Sequence, residues 1–164
     1  MKIIAFVGDS GSGKTRLIKR LVPELKKRGI SVAVIKHCTH GFDMGGKDKD
    51  SSKFLAAGAD GVVLVSPARQ AVIKKNGRVS SFAALARDSF RTADIVLVEG
   101  GRKDKKLKKI EVLRRGKSEG IKSSRRELAA VVADFQVAGR APVFHPRQLK
   151  KIADWLEGGL PWKR

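Results

Sequence analysis

The chain has 164 residues, of which 41% are hydrophobic and 32% are charged, a composition that fits one globular domain and excludes a mainly disordered chain. Its 36 Lys and Arg residues outnumber its 16 Asp and Glu residues, and the resulting formal charge of +20 attracts anionic partners. The single cysteine excludes an intrachain disulfide, and no apolar run approaches the roughly 20 residues of a membrane span. No secretory signal is visible, so we expect a cytoplasmic protein with a single nucleotide-binding domain over residues 1–164.

The first third of the chain predicts a β-strand, an α-helix and a second β-strand. Residues 2–8 form a buried-strand pattern, and residues 13–28 show the apolar spacing of one helix face. Gly29 is a typical residue for ending that helix, and Pro23 is expected to kink it. Residues 30–37 predict the second strand. This βαβ unit implies a right-handed crossover and a parallel sheet.

The rest of the chain predicts further strands and helices around the same sheet. Residues 38–50 are rich in glycine and charge and predict a loop. The Asn76-Gly77 pair is typical of a hairpin turn, so a small antiparallel piece is expected beside residues 71–74. Further strands are predicted at 62–66, 94–100, 110–113, 128–133 and 142–144, and helices at about 51–57, 81–89 and 147–156. The predicted fold is α/β: a doubly wound, mostly parallel sheet flanked by helices, with a small antiparallel extension.

The segment GDSGSGKT between the first strand and the first helix matches the pattern G-x-x-x-x-G-K-[ST]. In such a loop, backbone N–H groups and the positive end of the following helix bind phosphates. Lys14 is expected to reach the β and γ phosphates, and the Thr15 hydroxyl is expected to coordinate Mg²⁺. Asp9 stands where the partitioning ATPases carry a second lysine, which argues against that class. The predicted phosphate-binding residues are Gly8, Asp9, Ser10, Gly11, Ser12, Gly13, Lys14 and Thr15.

Carboxylates at the carboxyl ends of neighbouring strands are candidates for the magnesium side of the site. In the run DIVLVEG, Asp94 and Glu99 lie about 16 Å apart, and only Glu99 is at the correct end. We therefore predict that Glu99 acts toward Mg²⁺ through a water or positions the attacking water, and that Asp94 is a strand-entry residue. Asp43, in the loop after the second strand, is predicted to assist Mg²⁺ or water. His37, which ends that strand, and Asp43 can both approach the γ phosphate or a second substrate, although loop stabilisation is the alternative role for both residues.

The segment H-C-x-H, formed by His37, Cys38 and His40, contains three potential metal ligands within four positions. Its spacing matches no standard structural zinc pattern, and a fourth ligand is not apparent. A strand-end histidine and an ordinary thiol are therefore the default interpretation, and whether the three residues bind a metal stays open.

The chain resembles the MobB family of molybdopterin-guanine dinucleotide biosynthesis from about residue 2 to residue 156. The motifs that support the resemblance are GDSGSGKT, VAVIKH, FDMGGKDKDS, VLVSP, VLVEG and KIEV, in this order. The resemblance implies a P-loop GTPase, usually dimeric, related to the nickel-insertion GTPases. It would bind GTP and Mg²⁺, hydrolyse GTP slowly and assist the nucleotidyltransferase that joins GMP to molybdopterin, and possible further partners are other cofactor-assembly enzymes. The chain departs from the family pattern at Gly101, at Lys108 and in its basic insert at residues 102–109.

The preference for guanine rests on the resemblance alone, because no lysine in the chain is followed two residues later by aspartate. The motif N/T-K-x-D of guanine-binding proteins is therefore missing, and the motifs do not separate GTP from ATP. Asp134, at the end of LAAVVAD, is the best remaining candidate for base recognition. A helix or turn cap is the alternative role for this residue.

Three alternative functions stay open at this point. One is a metallochaperone GTPase that uses Cys38, and another is a small-molecule kinase whose basic tract binds an anionic acceptor. The third is a basic adapter for nucleic acid, with the charge supplied by residues 102–109, 114–117 and 125–126. Such charge runs are usually solvated, and an acidic partner enzyme or a pterin phosphate explains them as well, so specific nucleic-acid recognition is not favoured. The phosphate loop itself contains no arginine that could act on the γ phosphate.

Overall fold

The computed structural model describes residues 1–39, 41–42, 49–75, 81–139 and 141–158. The helices and strands in chain order are β1 (Lys2–Val7), α1 (Lys14–Lys26), β2 (Val32–Lys36), α2 (Asp50–Ala56), β3 (Gly61–Val65), β4 (Gln70–Lys74), α3 (Phe82–Ser89), β5 (Ile95–Glu99), β6 (Lys109–Leu113), β7 (Leu128–Ala133), β8 (Val143–Phe144) and α4 (Leu149–Gly158). They belong to two compact units, one of Met1–His37 and Ser81–Arg164 and the other of Cys38–Ser80. The single domain over residues 1–164 stays a prediction.

The first unit contains a six-stranded sheet in the order β2-β5-β1-β6-β7-β8. Every neighbouring pair in this sheet is parallel. The central strand β1 lies between β5 and β6, with Phe6 paired to Glu99 on one side and to Ile110 on the other. The carboxyl ends of these three strands therefore lie side by side, and the predicted parallel sheet is confirmed.

The two faces of the sheet pack against different helices. Ile4 and Phe6 of β1 point to the face that is covered by α1 and α4. Ala5 and Val7, the alternate residues, point to the face that is covered by α3. All four side chains are almost completely buried, and burying a large apolar side chain such as Phe6 contributes about 1.5–3 kcal/mol. Helices on both faces make the sheet doubly wound, as predicted.

The second unit contains a short helix and a β-hairpin. Strands β3 and β4 pair antiparallel, which confirms the predicted small antiparallel piece. Their connection is a turn at residues 66–69, in which the Ser66 N–H donates to the Arg69 carbonyl at 2.9 Å. The Asn76-Gly77 signal lies outside the described residues. In the part of the chain that the structure describes, no helix is long and apolar enough to cross a bilayer.

The transition from β1 to the glycine-rich loop requires glycine at position 8. A Cβ atom on Gly8 would lie 2.3 Å from the Val112 carbonyl oxygen of β6 and 2.7 Å from Ser12 Oγ. The first of these atoms belongs to the backbone of a central strand, so it cannot move without disturbing the sheet. Gly8 thus sets how closely the loop approaches β6.

We expect Gly8→Ala to destabilise the protein more than Gly116→Ala does. Gly116 has a φ of +70° and no atom within 4 Å of its hypothetical Cβ, so alanine there costs only the left-handed strain of about 1–2 kcal/mol. At Gly8 the steric overlap adds about 1–3 kcal/mol. Urea unfolding followed by circular dichroism measures both losses, and equal losses would contradict the close approach of the loop to β6.

Candidate nucleotide-binding site

The loop of residues 8–15 joins the end of β1 to the start of α1. Gly11 and Gly13 have φ values of +74° and +94°, a left-handed conformation that favours glycine. Gly13 is the N-cap residue of α1, and the side chain of Ser12 is buried beneath the loop. The first N–H groups of a helix have no partner within the helix, and the helix dipole makes this end positive. The backbone therefore has the geometry that an anion-binding loop requires.

The Lys14 side chain folds back over the loop. Its Nζ donates to the carbonyl oxygens of Gly8, at 3.0 Å, and of Asp9, at 2.8 Å. Burial lowers the pKa of the Lys14 ammonium, and the negative charge of Glu99 acts in the opposite direction. The positive charge thus lies directly above the backbone turn, where the phosphates of a nucleotide are predicted to bind.

Thr15 and Glu99 meet at the edge where β5 ends. The Thr15 hydroxyl donates to Glu99 Oε1 at 2.6 Å. A hydroxyl and a carboxylate are hard oxygen ligands of the kind that Mg²⁺ prefers, so this pair of donors fits the ion. Asp94 lies at the opposite end of β5, where its carboxylate accepts from the Ser31 N–H at 2.8 Å. Asp43 lies outside the described residues. The magnesium roles of Thr15, Glu99 and Asp43 therefore stay predictions.

His37 lies beside the end of β5. The backbone N–H of His37 donates to the Glu99 carbonyl at 2.9 Å. The His37 ring contacts the Phe82 ring edge-on, with centroids 5.2 Å apart. His40 lies outside the described residues. Among the residues that are described, no group of three His, Cys, Asp or Glu side chains could hold a metal ion. The structure therefore places His37 in packing and backbone contacts and leaves the H-C-x-H hypothesis untested at His40.

A cleft of about 250 Å³ lies on the β6 and β7 side of the loop. The loop residues Ser12 and Gly13 form one wall, and His145 precedes α4 on another. Four cationic side chains line the cleft: Arg16, Arg20, Arg114 and Arg147. The carboxylate in this lining is Asp134. The cleft is therefore positively charged and continuous with the predicted phosphate site.

Asp134 follows the last residue of β7 and is exposed. Its Oδ1 accepts from the Arg115 N–H at 2.8 Å, so it caps the turn that follows β6. A carboxylate has about four lone-pair sites, and this one hydrogen bond leaves capacity for a ligand in the cleft. The capping role considered from the sequence is therefore present, and it is compatible with base recognition.

Two cations that the sequence did not single out lie against the phosphate loop. Lys122 Nζ donates to Asp9 Oδ1 at 2.9 Å, and Arg102 Nη2 lies 3.8 Å from the same oxygen. The hydrogen bond from Lys122 is the main reason that the pKa of the Asp9 carboxyl lies below its usual value. The pKa of Lys122 is raised by the same hydrogen bond. Asp9, at the second position of the loop, is therefore held ionised by cations from two distant segments.

Two fully buried charged residues on β6 hold these cations in place. The Glu111 carboxylate accepts from Arg102 Nη1 at 2.9 Å and from the backbone N–H groups of Lys122, at 3.1 Å, and Ser123, at 2.8 Å. Lys109 Nζ donates to the Arg102 carbonyl at 2.7 Å. A strand that is apolar apart from alternate charged residues, as in KIEV, is the sequence signal that could have indicated this arrangement.

The basic insert at residues 102–109 is solvated only in part. Four lysines of the insert are exposed: Lys103, Lys105, Lys106 and Lys108. Leu107 is buried in the core under α3, and Lys109 is buried in β6. The interpretation of this run as a solvated face is therefore wrong for Leu107 and Lys109, which are buried, and Arg102 at the other end is only partly exposed.

Three comparisons relate this chain to known proteins. The model of the family MobB, molybdopterin guanine dinucleotide synthesis protein B, matches residues 3–134. A molybdopterin-guanine dinucleotide biosynthesis adapter protein of Haemophilus influenzae is 32% identical over 159 residues, which are 96% of this chain and 89% of that protein. The Escherichia coli protein of the same description is 36% identical over 118 residues, which are 70% of this chain and 66% of that protein. A crystal structure of molybdopterin-guanine biosynthesis protein B is 30% identical, covers 96% of this chain and 99% of its own, and superposes with a TM-score of 0.71.

Proposed function

This chain belongs to the MobB family, as its motifs predicted, and we propose that it is an adapter of molybdenum cofactor biosynthesis that binds and slowly hydrolyses GTP. The observation that carries the proposal is the 2.6 Å hydrogen bond between Thr15 and Glu99, together with the half-buried ammonium of Lys14, whose charge interacts with Glu99. An ammonium, a hydroxyl and a carboxylate are the three functional groups that a P-loop nucleotidase uses at its terminal phosphates. The proposed partner is the nucleotidyltransferase that attaches GMP to molybdopterin.

The proposed chemistry is attack of water on the γ phosphorus of GTP. A bond forms from the water oxygen to phosphorus while the bond to the β–γ bridging oxygen breaks, which releases GDP and inorganic phosphate. Lys14 and the N–H groups of the loop stabilise the charge that spreads over the phosphate oxygens. Thr15 and Glu99 would hold Mg²⁺, which supplies further positive charge to the β- and γ-phosphate oxygens. In the alternative role, Glu99 would position the attacking water.

The cleft beside the loop favours guanine over adenine. Guanine presents two acceptors, O6 and N7, that suit an arginine side chain, whereas adenine presents an N6 amino donor there. On its other edge, guanine has N–H donors that suit a carboxylate. The four arginines and Asp134 supply both kinds of partner in one cleft. This complementarity supports GTP as the ligand despite the missing N/T-K-x-D motif.

We also propose that two copies of the chain associate through the hairpin of the second unit. Val63 and Val65 of β3 are 56% and 76% exposed, and Val72 of β4, which pairs with Val63, is 55% exposed. Apolar side chains grouped on one face of a two-stranded sheet are typical of an interaction surface. A second copy would cover this face and extend the two-stranded sheet by strand pairing. We propose that the exposed lysines of the basic insert contact an acidic partner enzyme or a pterin phosphate.

Nucleotide binding is tested by titrating the protein with GTP and with ATP, each in the presence of Mg²⁺. We expect GTP to bind more tightly than ATP, and Lys14→Ala to weaken GTP by about 10-fold or more because a charge-assisted hydrogen bond is lost. Lys19→Ala, which removes an exposed lysine from the same helix, is the matched control and should bind GTP normally. A preference for ATP would contradict the guanine assignment, and binding of neither nucleotide would contradict the proposed function.

Base recognition is tested with Asp134→Asn and xanthosine triphosphate. Xanthine has a carbonyl oxygen where guanine has its 2-amino group, so an asparagine amide suits xanthine and a carboxylate suits guanine. We expect the variant to lose affinity for GTP by about 10-fold and to gain affinity for xanthosine triphosphate. Asparagine still has an oxygen that can accept from Arg115, so the turn cap is preserved. Unchanged affinities would show that Asp134 only caps the turn; Asp88→Asn on α3 is the control.

Association of two copies is tested by sedimentation velocity. We expect the wild-type protein to sediment at the mass of a dimer and the double variant Val63→Lys, Val65→Lys to sediment as a monomer, because two lysines would have to be desolvated in the interface. Val143→Lys changes an exposed apolar residue of the first unit and should leave the dimer intact. A wild-type protein that stays monomeric at all concentrations would refute the proposal.

A further inference from the structure

We propose that Arg102 contacts the terminal phosphate of the bound nucleoside triphosphate, and that Glu111 holds it in position for this contact. The inference rests on the proposed function and extends it. It places in the same chain the catalytic arginine that the phosphate loop itself lacks. The contact would distinguish a nucleoside triphosphate from a diphosphate, because the diphosphate has no γ phosphate for Arg102 to bind.

The segment that follows β5 places Arg102 in a fixed position. Gly100 and Gly101 have φ values of +96° and +74°, so the chain turns sharply after Glu99. A Cβ atom on Gly101 would lie 3.1 Å from the Phe82 ring, so the turn lies close against α3. Beyond the turn, the Arg102 carbonyl accepts from the buried Lys109 ammonium. The backbone of Arg102 is therefore held independently of its side chain.

The side chain of Arg102 is held just as firmly and points toward the loop. Arg102 Nη1 donates to Glu111 Oε1 at 2.9 Å, and Glu111 is completely buried. Arg102 Nη2 lies 3.8 Å from Asp9 Oδ1, and Lys14 Nζ lies 2.8 Å from the carbonyl oxygen of the same residue. The charges of Lys14 and Arg102 therefore flank one residue of the phosphate loop. An arginine fixed in this way pays little conformational entropy when it binds an anion.

Arg102 has a stronger contact with Glu111 and a weaker one with Asp9, and the weaker contact is the one that a phosphate would replace. The bond to Glu111 is short and buried, whereas the 3.8 Å ion pair with Asp9 is longer and partly exposed. A guanidinium has five N–H donors, so it can keep the bond to Glu111 and still donate to a phosphate. Asp9 keeps Lys122 as its partner, at 2.9 Å, when Arg102 turns to the phosphate. The 35% of the Arg102 side chain that is exposed leaves it accessible to a ligand.

The experiment compares the binding of GMPPNP and GDP, each with Mg²⁺, because these nucleotides differ at the terminal phosphate. Arg102→Gln removes the charge but keeps an N–H donor for Glu111, and Lys103→Gln is the matched control on an exposed neighbour. We expect Arg102→Gln to weaken GMPPNP by about 10-fold or more while GDP changes by about 2-fold or less. Single-turnover hydrolysis of GTP should slow by about 10-fold or more, since such an arginine acts on the transition state.

A third variant, Arg102→Lys, separates charge from geometry. Lysine restores the charge without the planar fork, so its GMPPNP affinity should lie between those of wild type and Arg102→Gln. Equal losses of GMPPNP and GDP affinity together with a lower melting temperature would assign Arg102 a structural role and overturn the inference. Unchanged affinities for both nucleotides would overturn it as well. If the wild-type protein binds neither nucleotide, the proposed function itself fails, and this is seen before any Arg102 variant is measured.

Discussion

The hydrogen bond from Thr15 to Glu99 depends on the two central strands of the sheet lying side by side. Thr15 stands in the first turn of α1, eight residues beyond the end of β1, and Glu99 is the last residue of β5. Because β1 and β5 are parallel and in register from Lys2 to Phe6, the glycine-rich loop must turn at the edge where Glu99 ends its strand. The tight contact of Gly8 with β6 fixes the other side of the loop. The site is thus a consequence of strand order as much as of the motif.

The buried charges on β6 explain how the basic segments are held at this edge. Removing Lys109 and Glu111 from water is costly, and the cost is offset only when each charge has several hydrogen-bond partners. Glu111 has three donors, from Arg102, Lys122 and Ser123, and Lys109 has the Arg102 carbonyl and the Glu127 carboxylate. Apolar residues at these two positions would preserve the strand. They would lack the hydrogen bonds that tie the segments carrying Arg102 and Lys122 to β6.

The sequence predicted those parts of the fold that local patterns encode. The period of the apolar residues indicated β1, α1, β5 and β7, and counting along the strand was enough to prefer Glu99 over Asp94. The pairing of Lys122 with Asp9 joins residues 113 positions apart, and no local pattern encodes it. The run from Arg102 to Lys109 has the composition of a solvated segment. Arg102 is nevertheless partly buried, because it binds Glu111, which lies two residues beyond Lys109. The small antiparallel piece was predicted, and the turn between its two strands lies at residues 66–69, whereas the Asn76-Gly77 signal lies outside the described residues.

The net charge of +20 combines two groups of cations with different physical roles. Lys14, Arg102 and Lys122 are held by oxygen atoms of the protein, so their positions are set before any ligand arrives. The exposed lysines of the basic insert lie on the surface, where salt screens their field within about 8 Å at physiological ionic strength. Such lysines act on a partner that comes into contact, and they fit an acidic protein surface without selecting a particular nucleotide. In the function that we propose, recognition of the terminal phosphate depends on the few cations with fixed geometry, and the larger surplus of charge favours the approach of a partner.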